Sequence, residues 1–471
     1  MSTKVLLTVL VSLATSVAYA GDWPRFRGPN GTGISLDKNA TPVTWSPTEN
    51  LKWKLVLPGA GASSPIVFRD RVYVTCYSGY AADPREPGNQ KDLKRHLVCA
   101  DRATGKILWS KTVDAVLPED EYSGIGVPQH GYASHTPVAD SQRVYVFFGK
   151  SGALAFDHDG KQLWQTPLGT GTDPRNWGSA SSPILYKNLL IVTASSESRS
   201  LVALDVETGR EVWKQTADGF ESTWGTPVLA QVDDSRSDLV IGVPFEIWAF
   251  NPDTGKLRWF CEAMDTDSYC SSVVSDGDVI YGIEGRNGGS IAVRVGGEGD
   301  IKNSHVVWSG RNTSRIGTPV VYDGRIYFFA NGIANCIDAK TGKDIYQERL
   351  SGGTTAAPSA RSAGGPGGPP GRGGPGGGPG GPRGRGMGGG GMGGGMSGDY
   401  ASPVVAEGKL YYTTRSGNMF VIQLGSEFRQ LAVNRVTEDV EDFSGTPAIS
   451  NGELFIRSNK HLYCVAEVKR E

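Results

Sequence analysis

Acids, histidines and aromatic residues crowd a few short stretches of this 471-residue chain. The longest, at 113–135, carries Glu119, Asp120, Glu121, Tyr122, His130, Tyr132 and His135. A second, at 169–180, carries Arg175, Asn176 and Trp177. Further on come Glu221 and Trp224, then Asp265, Asp267 and Tyr269, then Arg311 and Arg315, and finally Glu438, Asp439 and Glu441. His130 and His135 could begin a metal site, but no third ligand stands at a fixed spacing from them. Glu119 to Glu121 reads as a solvated acidic turn. Trp177 and Trp224 read equally as packing plugs. No Ser-His-Asp or Cys-His arrangement can be defended from spacing, so nucleophilic catalysis has no support. Tyr and Trp offer contact area at low ordering cost, and Arg adds directional bonds. These stretches therefore describe a binding surface better than a reaction centre.

The elements that hold them form a repeat. The phrase small–x–Asp/Asn–x–x–Thr–Gly–x–x–x–Trp returns as CADRATGKILW (99–109), AFDHDGKQLW (155–164), ALDVETGREVW (203–213), AFNPDTGKLRW (249–259) and CIDAKTGKDIY (336–346). Before each copy stand Ser/Thr-Pro, an apolar run, a polar turn and a second apolar run, as in TPVADSQRVYVFF (136–148). Each unit is thus three short strands and a fourth ending in an aromatic residue. The aromatic slots are Trp109, Trp164, Trp213, Trp259, Trp308 and Tyr346, at steps of 55, 49, 46, 49 and 38. Such a period predicts an all-β fold, a β-propeller of four-stranded antiparallel blades. The fifth unit has lost its Thr-Gly turn, a seventh starts near 402, and an eighth starts near 445 without a Trp strand. Trp53, in NLKWKLVLPG (50–59), lacks the three strands that should precede it. The N-terminal strand is therefore expected to complete the last blade and close an eight-bladed ring, removing free sheet edges. Connections between blades gather on one face of such a ring, and the candidate stretches fall in those connections.

Lys4, the apolar run at 6–17 and Ala18-Tyr19-Ala20 fit a secretory leader at 1–20, cleaved after Ala20. A periplasmic or secreted protein follows, and no apolar run is long enough for a transmembrane segment. Residues 21–49 read as an N-terminal extension and 50–471 as the propeller. With 47 basic and 49 acidic residues, the formal net charge of −2 gives no support for nucleic acid as a partner. The stretch 364–398 holds 22 Gly and 6 Pro in 35 residues and is expected to be a disordered insert. Six cysteines include no CxxC pair, so neither a zinc site nor a thioredoxin-type pair is supported. Cys99, Cys336 and Cys464 share a slot with Ala155, Ala203 and Ala249, which asks for a small buried side chain. Cys261 and Cys270 flank one connection and leave a disulfide open.

The repeat resembles the tryptophan-docking repeat of pyrroloquinoline-quinone (PQQ) enzymes and their non-catalytic relatives, over roughly 50–471. It bears a more distant resemblance to the propeller lipoprotein of outer-membrane barrel assembly. DWPRFRGPNGTG (22–33) is similar to the opening of a group of secreted PQQ-like repeat proteins of planctomycete-type bacteria. The enzymes of this kind imply PQQ over adjacent cysteines, with calcium held at the ring axis by Glu, Asn and Asp. This chain has no Cys-Cys pair, no CxxCH haem motif and no acidic cluster that maps onto that pattern. The expectation is a non-catalytic binding or scaffold propeller without a cofactor, whose partner is a protein or a cell-surface polymer. The alternative is a quinoprotein oxidoreductase using PQQ and calcium.

Overall fold

The computed structural model describes residues 21–83, 85–124, 126–284, 289–353 and 400–467. The expected leader at 1–20 and the expected insert at 364–398 lie outside the described residues. Eight sheets stand in a ring, each antiparallel apart from one added parallel strand in blade 4. The first seven blades span 66–114, 138–166, 184–216, 228–262, 274–310, 320–349 and 404–434. The eighth joins Ala448–Ser450, Glu453–Arg457 and His461–Val465 to Leu51–Val56, the strand from the other end of the chain. Trp53 lies opposite Cys464 in that antiparallel pair. The ring is therefore an eight-bladed β-propeller closed by the N-terminal strand, as the repeat predicts.

The repeat phrase encodes the blade junctions. The small residue of the third strand is the cross-strand partner of the aromatic slot: Cys99 faces Trp109, Ala155 faces Trp164, Ala203 faces Trp213, Ala249 faces Trp259 and Cys336 faces Tyr346. A β-bulge follows each pairing, so the residue before Trp is skipped, which leaves Leu108, Leu163 and Val212 exposed while the indole turns inward. Five of the indoles then reach the glycine turn of the next blade. Trp53 Nε1 donates to Arg102 O at 2.9 Å, Trp109 to His158 O at 2.9 Å, Trp164 to Val206 O at 3.0 Å, Trp213 to Pro252 O at 3.0 Å and Trp308 to Ala339 O at 2.8 Å. Gly209 shows why the turn needs glycine: φ is +70°, and a Cβ would meet the ring of Trp164 at 2.6 Å. Asp205 Oδ1 holds the same turn by accepting from Thr208 N at 2.9 Å and Thr208 Oγ1 at 2.7 Å.

Three junctions depart from this scheme. Blade 5 lacks the turn, so Trp259 Nε1 donates to Asp238 of its own blade at 2.7 Å, and Gly299–Asp300 adds a short parallel strand beside it. Tyr346 meets Phe428 edge-on at 5.7 Å in place of a turn glycine. Blade 7 carries Ala432 in its aromatic slot, opposite Val421. Its docking aromatic comes instead from the N-terminal segment. Trp45 stacks on Tyr411 at 6.4 Å, as Trp109 and Trp164 pack against Tyr73 and Tyr145 at 5.8 and 6.0 Å. Trp45 N is fixed by Asn434 Oδ1 at 3.0 Å. Trp23 and Trp45 of the 21–49 segment thus share one buried apolar cluster with residues of blades 1, 7 and 8.

Cys261 is a buried thiol with no bridge to Cys270. Cys76 and Cys99, on adjacent strands of blade 1, are out of register as well, since Cys76 lies opposite His96 and Cys99 opposite Tyr73.

Candidate functional site

The Ser or Thr before the innermost strand of each blade, followed by Pro in all but blade 5 (Ser272-Val273), meets its counterparts in the ring. Ser64 N donates to Thr136 Oγ1 (3.0 Å), Thr136 N to Ser182 Oγ (3.0 Å), Ser182 N to Thr226 Oγ1 (3.0 Å) and Thr226 N to Ser272 Oγ (2.9 Å). Ser272 N donates to Thr318 Oγ1 (2.9 Å), Thr318 N to Ser402 Oγ (3.0 Å), Ser402 N to Thr446 Oγ1 (2.9 Å), and Thr446 N returns to Ser64 Oγ (3.0 Å). One hydrogen bond per blade closes a circle about the axis.

A cavity of about 150 Å³ stands on this circle, lined by all eight residues. One end is crossed by DWPRFRGPNGTG. Trp23 pairs with Val67 of blade 1, Ala139 N donates to Pro24 O, and Ile34 runs beside Val405 of blade 7. Arg27, almost fully buried, donates to Thr318 O at 3.1 Å and Pro319 O at 2.6 Å, while Phe26 reaches the cavity. The motif is thus an axial plug. At the other end stand Trp177, Trp224, His130, Arg315 and Tyr400.

Trp177 and Trp224 face each other at 5.0 Å and 38°, and Arg175 lies 5.6 Å over the Trp177 ring. Arg175 also pairs with Asp267 at 3.0 Å. His130 is held on both nitrogens, by Ser134 Oγ at 2.6 Å and Trp177 O at 2.7 Å, and desolvation lowers its pKa. His135 shares no hydrogen-bond partner with His130. It is buried, edge-on to Phe147 at 4.8 Å, and Nε2 meets Ser179 Oγ at 3.1 Å. Burial, aided by Arg95, pushes His135 down to about 3, so it is neutral.

The acidic turn corrects the sequence reading. Glu119 and Asp120 are not solvated: Glu119 pairs with Arg95 at 2.6 Å and Asp120 with Lys150 at 3.3 Å, all four buried. Only Glu121 is exposed. Beside them burial raises Glu197 to about 7, while Ser179 Oγ donates to its carboxylate at 2.5 Å. Tyr132 is also buried, donating to Asp120 O at 2.6 Å, and Tyr122 packs against the same small apolar cluster. These aromatics anchor the 113–135 connection and offer little contact area. Asn176 and Arg311 are exposed, while Glu221 and Arg315 are partly so. Arg415, which sequence reasoning missed, donates to Gln129 Oε1 at 2.6 Å and ties blade 7 to that connection.

The fold and the axial site define a propeller of the PQQ-like repeat class. The chain belongs to the family described as outer membrane protein assembly factor BamB, whose profile matches residues 90–242 and 187–363. A polyvinylalcohol dehydrogenase of Sphingopyxis sp. (strain 113P3) is 23% identical over 303 residues, which is 53% of this chain and 41% of that protein. The chain thus spans about two fifths of the length of the curated relative it matches. BamB from Moraxella catarrhalis superposes with a TM-score of 0.56 at 11% identity, over 89% of this chain and 98% of that one. Quinohemoprotein alcohol dehydrogenase from Comamonas testosteroni gives 0.62 at 10% identity, over 97% and 82%. At these identities the superpositions show the fold alone.

The PQQ-type relatives raise the question of PQQ with calcium. Calcium takes 6–8 oxygen ligands, carboxylates foremost. No Asp or Glu among the described residues lines the cavity, and the hydroxyl oxygens around it already accept backbone N–H groups. The described residues hold no cluster of three or more His, Cys, Asp or Glu suited to a metal. The residues present do not fit a calcium-bound quinone.

Proposed function

We propose that the chain is an exported, non-catalytic binding propeller, with its leader removed after Ala20. It holds a protein or a cell-surface polymer on the face built by the inter-blade connections. One observation carries this reading: the ionisable groups best placed for acid–base work on that face are already committed. His130 is bonded on both nitrogens, His135 is neutral and buried, and Glu119 and Asp120 are paired with Arg95 and Lys150. What remains accessible is contact-making: Arg175, Asn176, Trp177, Glu221, Arg311 and Arg315. The family description names a factor for outer membrane protein assembly, and the polyvinylalcohol dehydrogenase is named for a polymer, so both partner classes are supported by what relatives are named for. Among the described residues no helix is long and apolar enough to cross a membrane.

The test is capture of partners from envelope extract, and of isolated surface polymer, by the mature chain. An Arg175→Ala, Trp177→Ala, Arg311→Ala variant should lose binding while its β-rich spectrum is kept. Substitutions in the opposite-face turns at Asp205 and Asp253 should not. The reverse pattern refutes the proposed face. Dye-linked oxidation that requires added PQQ would replace the reading with the quinoprotein alternative.

A further inference from the structure

We propose that the axial cavity binds an oxyanion group, the oxygens of a phosphate, sulfate or carboxylate, at the hydroxyl ring and without a metal ion. The first ground is the direction of the donors. Each ring oxygen accepts a backbone N–H, and none of the eight hydroxyls donates to an acceptor among the described residues. All eight are more than nine-tenths buried and line the cavity. Buried polar groups normally find partners, and here the unused capacity is donor capacity converging on the axis.

The second ground is charge. Arg27 and Arg457, at 1% and 0% exposure, stand directly behind the ring. Arg27 donates to the carbonyls of Thr318, Pro319 and Pro403, and Arg457 to Ser63 O at 3.1 Å. Arg25 is buried in the plug as well, and its Nε has no hydrogen-bond partner among the described residues. None of the three pairs with a carboxylate among the described residues. Burial alone lowers Arg25 to about 10 and Arg27 to about 9, the mark of cations without counter-charge. Arg315 adds a further cation in the cavity wall, where no acid stands among the described residues. A neutral polyol would use the hydroxyls and leave the charge uncompensated, and a cation would meet only donors and like charge. An oxyanion answers both.

The experiment titrates the full-length mature chain with inorganic phosphate, sulfate and acetate at fixed ionic strength, with chloride as control. At least one oxyanion should bind saturably at one site per chain, and the three arms tell which head group the ring prefers. Melting temperature should rise by about 3 °C at saturation. Crystals grown with selenate should show an anomalous peak on the axis within hydrogen-bond reach of the ring. Arg315→Gln should weaken binding about tenfold, as expected for losing one charge-assisted contact. Thr226→Val should weaken it too, and if that variant fails to fold, the selenate peak decides alone. Absence of saturable binding by all three anions overturns the proposal, as does a selenate peak away from the axis.

Discussion

The junctions between blades 2 and 3 and between blades 7 and 8 solve one problem by two routes. At the first, Trp164 docks on Gly209, and both residues belong to the repeat. At the second there is no turn to dock on, because the third and fourth strands of blade 8 come from opposite ends of the chain. The blade 7 slot is accordingly Ala432, and Trp45 arrives from outside the repeat to stack on Tyr411. Trp45 Nε1 has no hydrogen-bond partner among the described residues, as expected where no turn carbonyl exists to receive it. A docking aromatic is thus required for packing at every junction, while its hydrogen bond is dispensable.

The comparison is broken most severely by deleting residues 51–57. The deletion strips blade 8 of its outer strand, and cooperative unfolding should vanish from calorimetric scans. Next, Trp45→Ala and Trp164→Ala should each cost about 3–5 kcal/mol in denaturant titrations, as a large buried aromatic does. A much smaller loss for Trp45 would show that it does not serve as a docking residue. Gly209→Ala should cost about 2 kcal/mol, from the positive φ and the indole contact together, while Ala432→Gly, at a junction with no turn, should cost less.

The smallest effect is a dependence on pH. Glu197 titrates near 7 in the folded chain, against an ordinary value of 4.5, because burial disfavours its charge. Its folded-state pKa is raised, so its contribution to stability is fully present below about pH 4.5 and is lost as pH rises through about 7. Glu197→Gln should flatten that part of the stability–pH curve, measured by thermal melts across pH 4 to 8.

The regular junction was legible in the sequence because both its halves recur: Trp at one fixed position, Thr-Gly at another, about one blade apart. The irregular junction was not, since Trp45 and Tyr411 lie at opposite ends of the chain and neither repeats. The Ser/Thr-Pro signal was visible as punctuation. Its assembly into a closed circle was not, because each oxygen serves an N–H of the neighbouring blade. Glu119 and Asp120 misled for a similar reason. An acidic triplet in a connection looks solvated until Arg95 and Lys150, buried bases from blades 1 and 2, come to meet it. A buried arginine in the strand KRHLVCAD was the available clue. Asn176 and Arg311 stand exposed while Tyr122 and Tyr132 are drawn into packing, a difference that residue type alone does not show.

The pairing of Leu51–Val56 with His461–Val465 also sets an order of events. A chain made from its N-terminus holds the first strand idle until more than 400 further residues exist, since Trp53 meets Cys464. Until then the growing arc has two open edges that fit each other, and equally fit those of a second unfinished copy. At high concentration, exchange of this strand between two molecules competes with closure within one. Dilution during refolding should therefore favour single rings over interlinked pairs.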